Sequence, residues 1–361
     1  MKRKAGIITF HFVNNFGGVL QAYALNSFIK KNYDTEVITI DYRNLFILLC
    51  DTVRLLPITV NVVEFVAGWA TIKDRIKRYA EIKAFVRMRL NLSGKYFSCS
   101  GVKRGKPGCT HYIAGSDQIW NPDITIVVDR SYYLEFAETE SRKIAYAPGL
   151  GGQKHLSGFQ GKRIQKLLHN FNAVSVREET FCSQIEKMTG EKVERLIDPV
   201  FLLDSFEWRK ISIPPDDSDY ILLYAMQNDK SMYEVAKRIK QKTGKKVIEI
   251  SRYGFKRKFV DEIHIIVKPE EFIGFFQNAG CVCTNSYHGA AFSLIFEKEL
   301  YLVKCRRFQE RIHTLMQVFD LEYTECELLY QLRYDVQHIR HMIKEEQRKA
   351  YLYLKKNLID N

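Results

Sequence analysis

The sequence predicts an α/β protein of two Rossmann-like domains facing a cleft, with a helical insertion in the first domain and a helix at the C-terminus. Three observations predict it. Short apolar runs alternate with segments of helical spacing along most of the 361 residues, the pattern of a parallel sheet with right-handed crossovers. A polar, proline-containing stretch at 212–219 divides that alternation into two blocks. A chain of this length is also a prior for two domains. The expected limits are 1–211 for the first domain, with its insertion at about 44–110, then 212–327 for the second domain and 328–361 for the tail.

Residues 5–12 are a short apolar run that reads as a buried strand. A loop with Asn14, Asn15, Gly17 and Gly18 follows, and 19–31 has helical spacing, with Leu20, Ala24 and Phe28 four apart. Residues 36–41 read as the second strand. Residues 44–110 are helical in pattern and strongly basic. Strands are expected again at 111–114, 143–147, 172–176 and 195–197, with helices at 161–169 and 178–188. In the second block the expected strands are 220–224, 246–250, 263–267, 281–285 and 300–303. The helices there are 230–242, 269–278, 288–296 and 311–319, and a charged helix follows residue 328.

Composition narrows the function. With 46% hydrophobic and 27% charged residues and only 8 Pro, the chain is neither disordered nor low in complexity. It has no run of about 18 uncharged apolar residues, so no spanning helix is expected. The first residues lack a signal-peptide cleavage pattern. The eight cysteines include no C-x-x-C pair and no zinc spacing. They read as reduced thiols of a cytoplasmic protein, and no metal site is expected. The net charge of +13 calls for an anionic partner. No nucleic-acid-binding signature is present, which leaves phosphorylated small molecules and anionic membrane surfaces.

Five segments carry candidate chemistry. Gly17 and Gly18 follow a strand and open a helix, where backbone N–H groups can approach an anion; a tight turn is the alternative. Ser116, Asp117, Gln118, Trp120 and Asn121 crowd the end of the strand at 111–114. An indole face beside amides suits a sugar ring, and a capped turn is the alternative. Residues 147–152 form a glycine-rich loop at the same edge. Arg177 stands where a strand meets a helix and has the fork geometry for a carboxylate or phosphate; an ion pair with Glu178 or Glu179 is the alternative. The sharpest segment is Thr284-Asn285-Ser286-Tyr287-His288-Gly289. There a strand ends in polar residues and a small-residue helix begins, so His288 falls at the helix's positive end. A satisfied structural histidine is the competing reading.

Taken together, these segments resemble the polysaccharide pyruvyl transferase family. The resemblance rests on Gly6-Ile-Ile-Thr-Phe-His11, Asn15-Phe-Gly-Gly-Val-Leu-Gln-Ala-Tyr-Ala24, Ile113-Ala-Gly-Ser-Asp-Gln-Ile-Trp-Asn-Pro122, Lys143-Ile-Ala-Tyr-Ala147, Ser175-Val-Arg-Glu178, Asp198-Pro199 and Thr284-Asn-Ser-Tyr-His-Gly289. They run in family order over about residues 5–320, and 44–100 is the poorest match. The resemblance implies a glycosyltransferase-B-like architecture and transfer of pyruvate from phosphoenolpyruvate onto two sugar hydroxyls, closing a cyclic ketal. It implies His288 as the acid/base. Donor-side residues would be Arg177, Asn285, Ser286, Gly289 and Arg311, with Arg306 and Arg307 able to replace Arg311. Acceptor-side residues would be Asn15, Gly17, Gly18, Ser116, Asp117, Gln118, Trp120 and Asn121. No cofactor or metal is expected beyond phosphoenolpyruvate as co-substrate. The expected acceptor is a lipid-linked saccharide of a cell-surface polysaccharide, met in the cytoplasm or at the inner face of the membrane. A nucleotide-sugar glycosyltransferase of the same architecture and a non-catalytic sugar-binding protein are the alternatives.

The insertion adds one expectation. In 72–89, Ile72, Ile76, Tyr79 and Phe85 share a helical face, with Lys73, Arg75, Lys77, Arg78, Lys83, Arg87 and Arg89 around it. A basic amphipathic helix next to apolar ones suits docking on an anionic membrane, and a buried helix with a solvated basic face is the alternative.

Overall fold

The protein is described here by a computed structural model that covers residues 3–53, 55–56, 62–151, 158–226, 230–251, 254–255, 257–303, 309–326 and 329–360. Gly152, Arg306 and Arg307 lie outside the described residues.

The elements run β1 (Arg3–Ile8), α1 (Phe16–Asn32), β2 (Thr35–Tyr42), α2 (Leu45–Val53), α3 (Val62–Ala70), α4 (Ile72–Arg89), β3 (Leu92–Tyr96), α5 (Cys99–Gly105), β4 (His111–Gly115) and α6 (Pro122–Thr125). They continue with β5 (Arg142–Tyr146), α7 (Gly158–Leu168), β6 (Ala173–Val176), α8 (Glu179–Thr189), β7 (Glu194–Arg195), α9 (Ser205–Arg209), β8 (Tyr220–Tyr224), α10 (Lys230–Thr243), β9 (Val247–Ile250) and β10 (Glu262–His264). The last are α11 (Pro269–Asn278), β11 (Ala279–Thr284), α12 (Tyr287–Ile295), β12 (Glu299–Val303), α13 (Gln309–Val318), β13 (Glu322–Cys326), β14 (Leu329–Arg333) and α14 (Val336–Leu358).

Two compact units result. Unit 1 holds Met1–Asp51, Val86–Leu202 and Ile343–Asn361; unit 2 holds Thr52–Phe85 and Leu203–Met342. The sheet of unit 1 has the order β3-β2-β1-β4-β5-β6-β7, parallel throughout. That of unit 2 has the order β10-β9-β8-β11-β12-β14-β13. Its first five strands are parallel, and β14 and β13 return antiparallel. Strands covered on both faces read as continuous apolar runs rather than alternations. Tyr220-Ile-Leu-Leu-Tyr224 of β8 is such a run, buried at every position. The apolar runs and helical spacings marked in the sequence thus fall on the doubly wound elements of both units, within a few residues at their ends.

Within the parallel strands each order reverses at one point, between β1 and β4 in unit 1 and between β8 and β11 in unit 2. At such a switch point the loops leaving adjacent strands diverge, and ligands of doubly wound sheets sit there, beyond the carboxyl ends.

Three features differ from the sequence expectation. The stretch 44–110 is not helical throughout, because β3 pairs with β2 as an edge strand. Its Leu-Ser-Gly-Lys-Tyr sequence is half-buried or exposed and lacks an apolar run, as edge strands often do. The chain after residue 328 enters β14 before its helix. The insertion, expected in the first domain, has 52–85 grouped with unit 2, and the tail, expected as a separate segment, has 343–361 grouped with unit 1. The tail is drawn in by burial of Ala350, Tyr353, Leu354 and Leu358. Tyr353 Oη donates to the Ala145 carbonyl (2.8 Å), and Gln347 Nε2 to that of Phe201 (2.8 Å).

Helix α4 is turned differently from its apolar count. Arg75, Arg78, Tyr79, Ile82 and Phe85 are buried, whereas Ile76 is exposed. Two arginines of the expected basic surface therefore face inward. Among the described residues no helix is long and apolar enough to cross a membrane.

Candidate functional site

In unit 1 the candidate residues lie at the carboxyl ends of β1, β4, β5 and β6. Asn15 caps α1, its Oδ1 accepting from the Gly17 N–H at 2.9 Å. A Cβ on Gly18 would lie 2.6 Å from Val13 Cγ2 and 3.4 Å from Asp117 Oδ2. The tight turn is thus the geometry present, and glycine is required there by close packing. Across the switch point, Ser116 Oγ donates to the Ala147 carbonyl (2.7 Å), and the Ser116 carbonyl accepts from Thr9 Oγ1 (3.0 Å). Asp117 has a left-handed φ of 61°, and its carbonyl accepts the Gly149 N–H at 2.7 Å. Asn121 Oδ1 caps α6 through the Asp123 N–H (3.0 Å), and its Nδ2 is 3.4 Å from Gln118 Oε1. The loop at 147–151 is therefore tied to the loop of β4, rather than being a free surface segment.

Trp120 does not present its ring. It is 1% exposed, its indole N–H donates to the Tyr132 carbonyl at 2.9 Å, and it stacks on Tyr133 with centroids 4.9 Å apart. Phe171 meets it edge-on. The expectation that Trp120 offers a face to a sugar is corrected: both its apolar area and its polar handle are spent in the core.

Arg177 is buried with Glu178 and Asp198. Its Nη1 lies 2.7 Å from Asp198 Oδ2, and its Nε is 3.4 Å from Glu178 Oε1. The ion-pair alternative is thus realised, with Asp198 as the main partner. The three formal charges sum to −1, so an incoming anion would have to displace a carboxylate from the fork. Gly149 makes room for this group, because a Cβ there would lie 2.7 Å from Arg177 Nη2.

A charged set that the sequence did not single out lies at the ends of β1 and β2. His11 Nε2 is 3.0 Å from Asp41 Oδ1, and its Nδ1 is 3.0 Å from the Thr9 carbonyl. Arg43 grips both Asp41 oxygens at 2.7 and 3.0 Å. The signal available was a histidine and an aspartate, each ending an apolar run on neighbouring strands.

In unit 2 the segment 284–289 occupies the switch point. Thr284 Oγ1 donates to the Tyr224 carbonyl at 2.6 Å. Asn285 Oδ1 accepts from the Met226 N–H at 2.8 Å. These two bonds tie the β11 loop to the β8 loop. Ser286 caps α12, its Oγ accepting from the Gly289 N–H at 3.3 Å. Gly289 seats the helix on its strand, since a Cβ would come within 2.4 Å of Thr284 Oγ1. His288 follows the cap and is buried, with the Tyr287 ring edge-on at 5.2 Å. The half-buried Arg311 lies over the same Tyr287 ring, its guanidinium 5.7 Å from the centroid. An imidazole, a guanidinium and a capped helix start thus share one switch point, where N–H groups and the helix dipole favour negative charge.

Sequence reading also missed what α4 brings to the end of β9. Arg78 Nη1 donates to the Ser251 carbonyl at 3.3 Å. Nearby, Tyr233 Oη donates to Glu249 Oε1 at 3.2 Å, and Arg257 lies on the Tyr233 ring, 3.2 Å from its centroid. Burial pushes the Glu249 carboxyl up, against the pull of Arg257 and the Tyr233 and Ser251 hydrogen bonds. The spacing 75, 78, 79, 82, 85 would have revealed the inward face had arginine been allowed inside. No group of acidic, histidine or cysteine side chains suited to a metal ion occurs among the described residues.

A search of curated proteins finds no match. Among solved structures, the chain is similar to the UDP-GlcNAc 2-epimerase of Neisseria meningitidis bound to UDP-GlcNAc (TM-score 0.50, 11% identity, 100% of each chain covered). It is equally similar to a Listeria monocytogenes protein assigned as a UDP-N-acetylglucosamine 2-epimerase (TM-score 0.50, 8% identity, 100% of this chain and 98% of that one). At such identities the likeness is one of fold, and the fold is glycosyltransferase-B-like. The family profile of polysaccharide pyruvyl transferase matches residues 15–304, a span that holds 116–121, Arg177 and 284–289 and ends before Arg311, and the chain belongs to that family.

Proposed function

We propose that the protein transfers pyruvate from phosphoenolpyruvate onto two hydroxyls of a sugar, forming a cyclic ketal. The observation that carries this reading is the unit 2 switch point, where His288 follows the Ser286 cap of α12 and Arg311 stands over Tyr287. A helix start and a guanidinium suit a phosphate or carboxylate, and phosphoenolpyruvate carries both. In the reaction C3 of the enol gains a proton and C2 becomes electrophilic. One sugar hydroxyl adds to C2, the C2–O bond to phosphate breaks, and the second hydroxyl closes the ring. The two hydroxyl protons are accounted for, one on C3 and one on phosphate. His288 is the proposed proton carrier, and Asn285, Ser286 and Gly289 shape the anion end.

Arg177 belongs to this proposal as a residue that orders the unit 1 loops through Asp198. The acceptor sugar is assigned to the β1/β4 switch point of unit 1, with Asp117 and Gln118 as its polar groups, Ser116 and Asn121 holding the β4 loop and Asn15, Gly17 and Gly18 shaping the turn. The acceptor is a lipid-linked saccharide of a surface polysaccharide, met on the cytoplasmic side.

The test incubates purified protein with phosphoenolpyruvate and a panel of lipid-linked and aryl glycosides. The expected result is phosphate release with a pyruvyl mass gain on one acceptor. Consumption of a UDP-sugar instead would assign a nucleotide-sugar transferase. Acceptor binding without turnover of either donor would assign a sugar-binding protein.

A further inference from the structure

Helix α3 and the part of α4 in unit 2 expose large apolar side chains. Phe65 is 45% exposed, Val66 61%, Trp69 49% and Ile76 53%. Phe65 and Trp69 touch edge to face, so they form one aromatic projection. Scattered single apolar residues on a surface need no explanation, but a concentration of this kind does. Helix α4 shows that the exposure follows from its orientation. Its buried positions 75, 78, 79, 82 and 85 define one face, and the exposed positions 73, 76, 77 and 80 define the opposite one. That outer face reads Lys73, Ile76, Lys77, Ala80. The helix's acids, Asp74 and Glu81, are half-buried.

We propose that the α3–α4 surface of unit 2 docks on an anionic lipid membrane, with Phe65, Val66, Trp69 and Ile76 entering the headgroup boundary and Lys73 and Lys77 meeting lipid phosphates. Exposed apolar side chains on α3 followed by exposed lysines on α4 are the two ingredients of interfacial docking, burial of apolar area and attraction to anionic lipid. Lysine stems lie along apolar surface while their heads stay at the charged layer. Charge complementarity selects this occupant over a second copy of the chain. A symmetric contact between two such faces would bring Lys73 and Lys77 of both copies together in a chain already at +13, whereas an anionic bilayer neutralises them. The surface does not depend on the transferase reading, and either can fail without the other.

The chain contains its own reporter. Of its 3 Trp, Trp120 and Trp208 are buried at 1% and 0%, and only Trp69 is exposed. The full-length protein is titrated with vesicles of phosphatidylcholine alone or with phosphatidylglycerol, and Trp emission and flotation are followed. The expected result is a blue shift and flotation with anionic vesicles only, both lost near 1 M salt, where the Debye length is about 3 Å. Lys73→Gln with Lys77→Gln is expected to weaken partition about tenfold or more. Trp69→Ser is expected to abolish the blue shift while leaving the circular dichroism unchanged. Absence of a blue shift with anionic vesicles at low salt overturns the proposal. So does equal binding to neutral vesicles, or a lipid-free, concentration-dependent dimer that shifts Trp69 emission by itself.

Discussion

Asp198 holds Arg177 by a 2.7 Å contact between Oδ2 and Nη1, with both side chains almost fully buried. Asp198 Oδ1 in turn accepts the Val200 N–H at 3.1 Å, so the carboxylate also fixes the turn after β7. Removing one partner of a buried pair leaves a charge without compensation, which costs about 3–5 kcal/mol. Asp198→Asn is expected to lower unfolding stability by about 3 kcal/mol, measured by urea denaturation. Arg177→Lys is expected to be nearly as harmful, because a point charge cannot span Asp198 and Glu178 as a planar fork does. A loss too small to resolve for both variants would mean that the pair does not organise unit 1.

The burial of Trp120 gives a prediction opposite to that of an exposed sugar platform. Truncating a packed tryptophan to alanine leaves a cavity and an orphaned Tyr132 carbonyl, a loss of about 3–5 kcal/mol. Trp120→Phe keeps most of the stacking on Tyr133 and gives up the indole donor, for about 1–2 kcal/mol. Neither change touches a group that faces a ligand. Trp120→Phe is therefore expected to leave the acceptor KM near its native value. A large rise in acceptor KM with unchanged thermal stability would return Trp120 to the binding surface.

Asp41 predicts an acid-labile step in unit 1. Burial alone would push its carboxyl up, but hydrogen bonds and charge from His11 and Arg43 more than offset this and hold it at about 2, from an ordinary 3.8. The folded value is the lower one, so the carboxylate's contribution is complete above the unfolded value and is lost as pH falls towards about 2. The amount at stake is about 2 kcal/mol. Urea unfolding between about pH 6 and about pH 3 is expected to show a steeper loss for the wild type than for Asp41→Asn. Parallel curves for the two proteins would remove Asp41 as the source.

Legibility in the sequence followed burial chemistry. β8 and β11 were readable because a strand covered on both faces must be apolar throughout, and the polar residues that stop each run marked the carboxyl edge. The segment 284–289 was readable for the same reason. α4 was not, because apolar counting selects Ile76 for the inside, whereas the fold buries Arg75 and Arg78 and leaves Ile76 out. The role of Trp120 was hidden because an aromatic residue beside amides reads alike whether its faces meet a sugar or Tyr133. The grouping of 52–85 with unit 2 is a long-range property that no local pattern encodes.

His288 carries the last prediction. It follows the Ser286 cap, so the start of α12 survives its replacement: the cap accepts the Gly289 N–H, and Thr284 anchors the strand end to Tyr224. His288→Gln keeps an amide of similar reach at the same place but cannot carry a proton at neutral pH. If His288 moves the proton between sugar hydroxyl and enol carbon, kcat falls by about 10²–10⁴ while the KM for phosphoenolpyruvate changes little. Ser286→Ala is the control. It loses a cap worth about 1 kcal/mol and loosens the anion end, so its main effect is expected on donor KM. Phosphate release under saturating donor separates the two, and circular dichroism confirms that α12 persists. Near-native kcat for His288→Gln would leave the imidazole as a packing residue against Tyr287 and move the proton step to another group at the switch point.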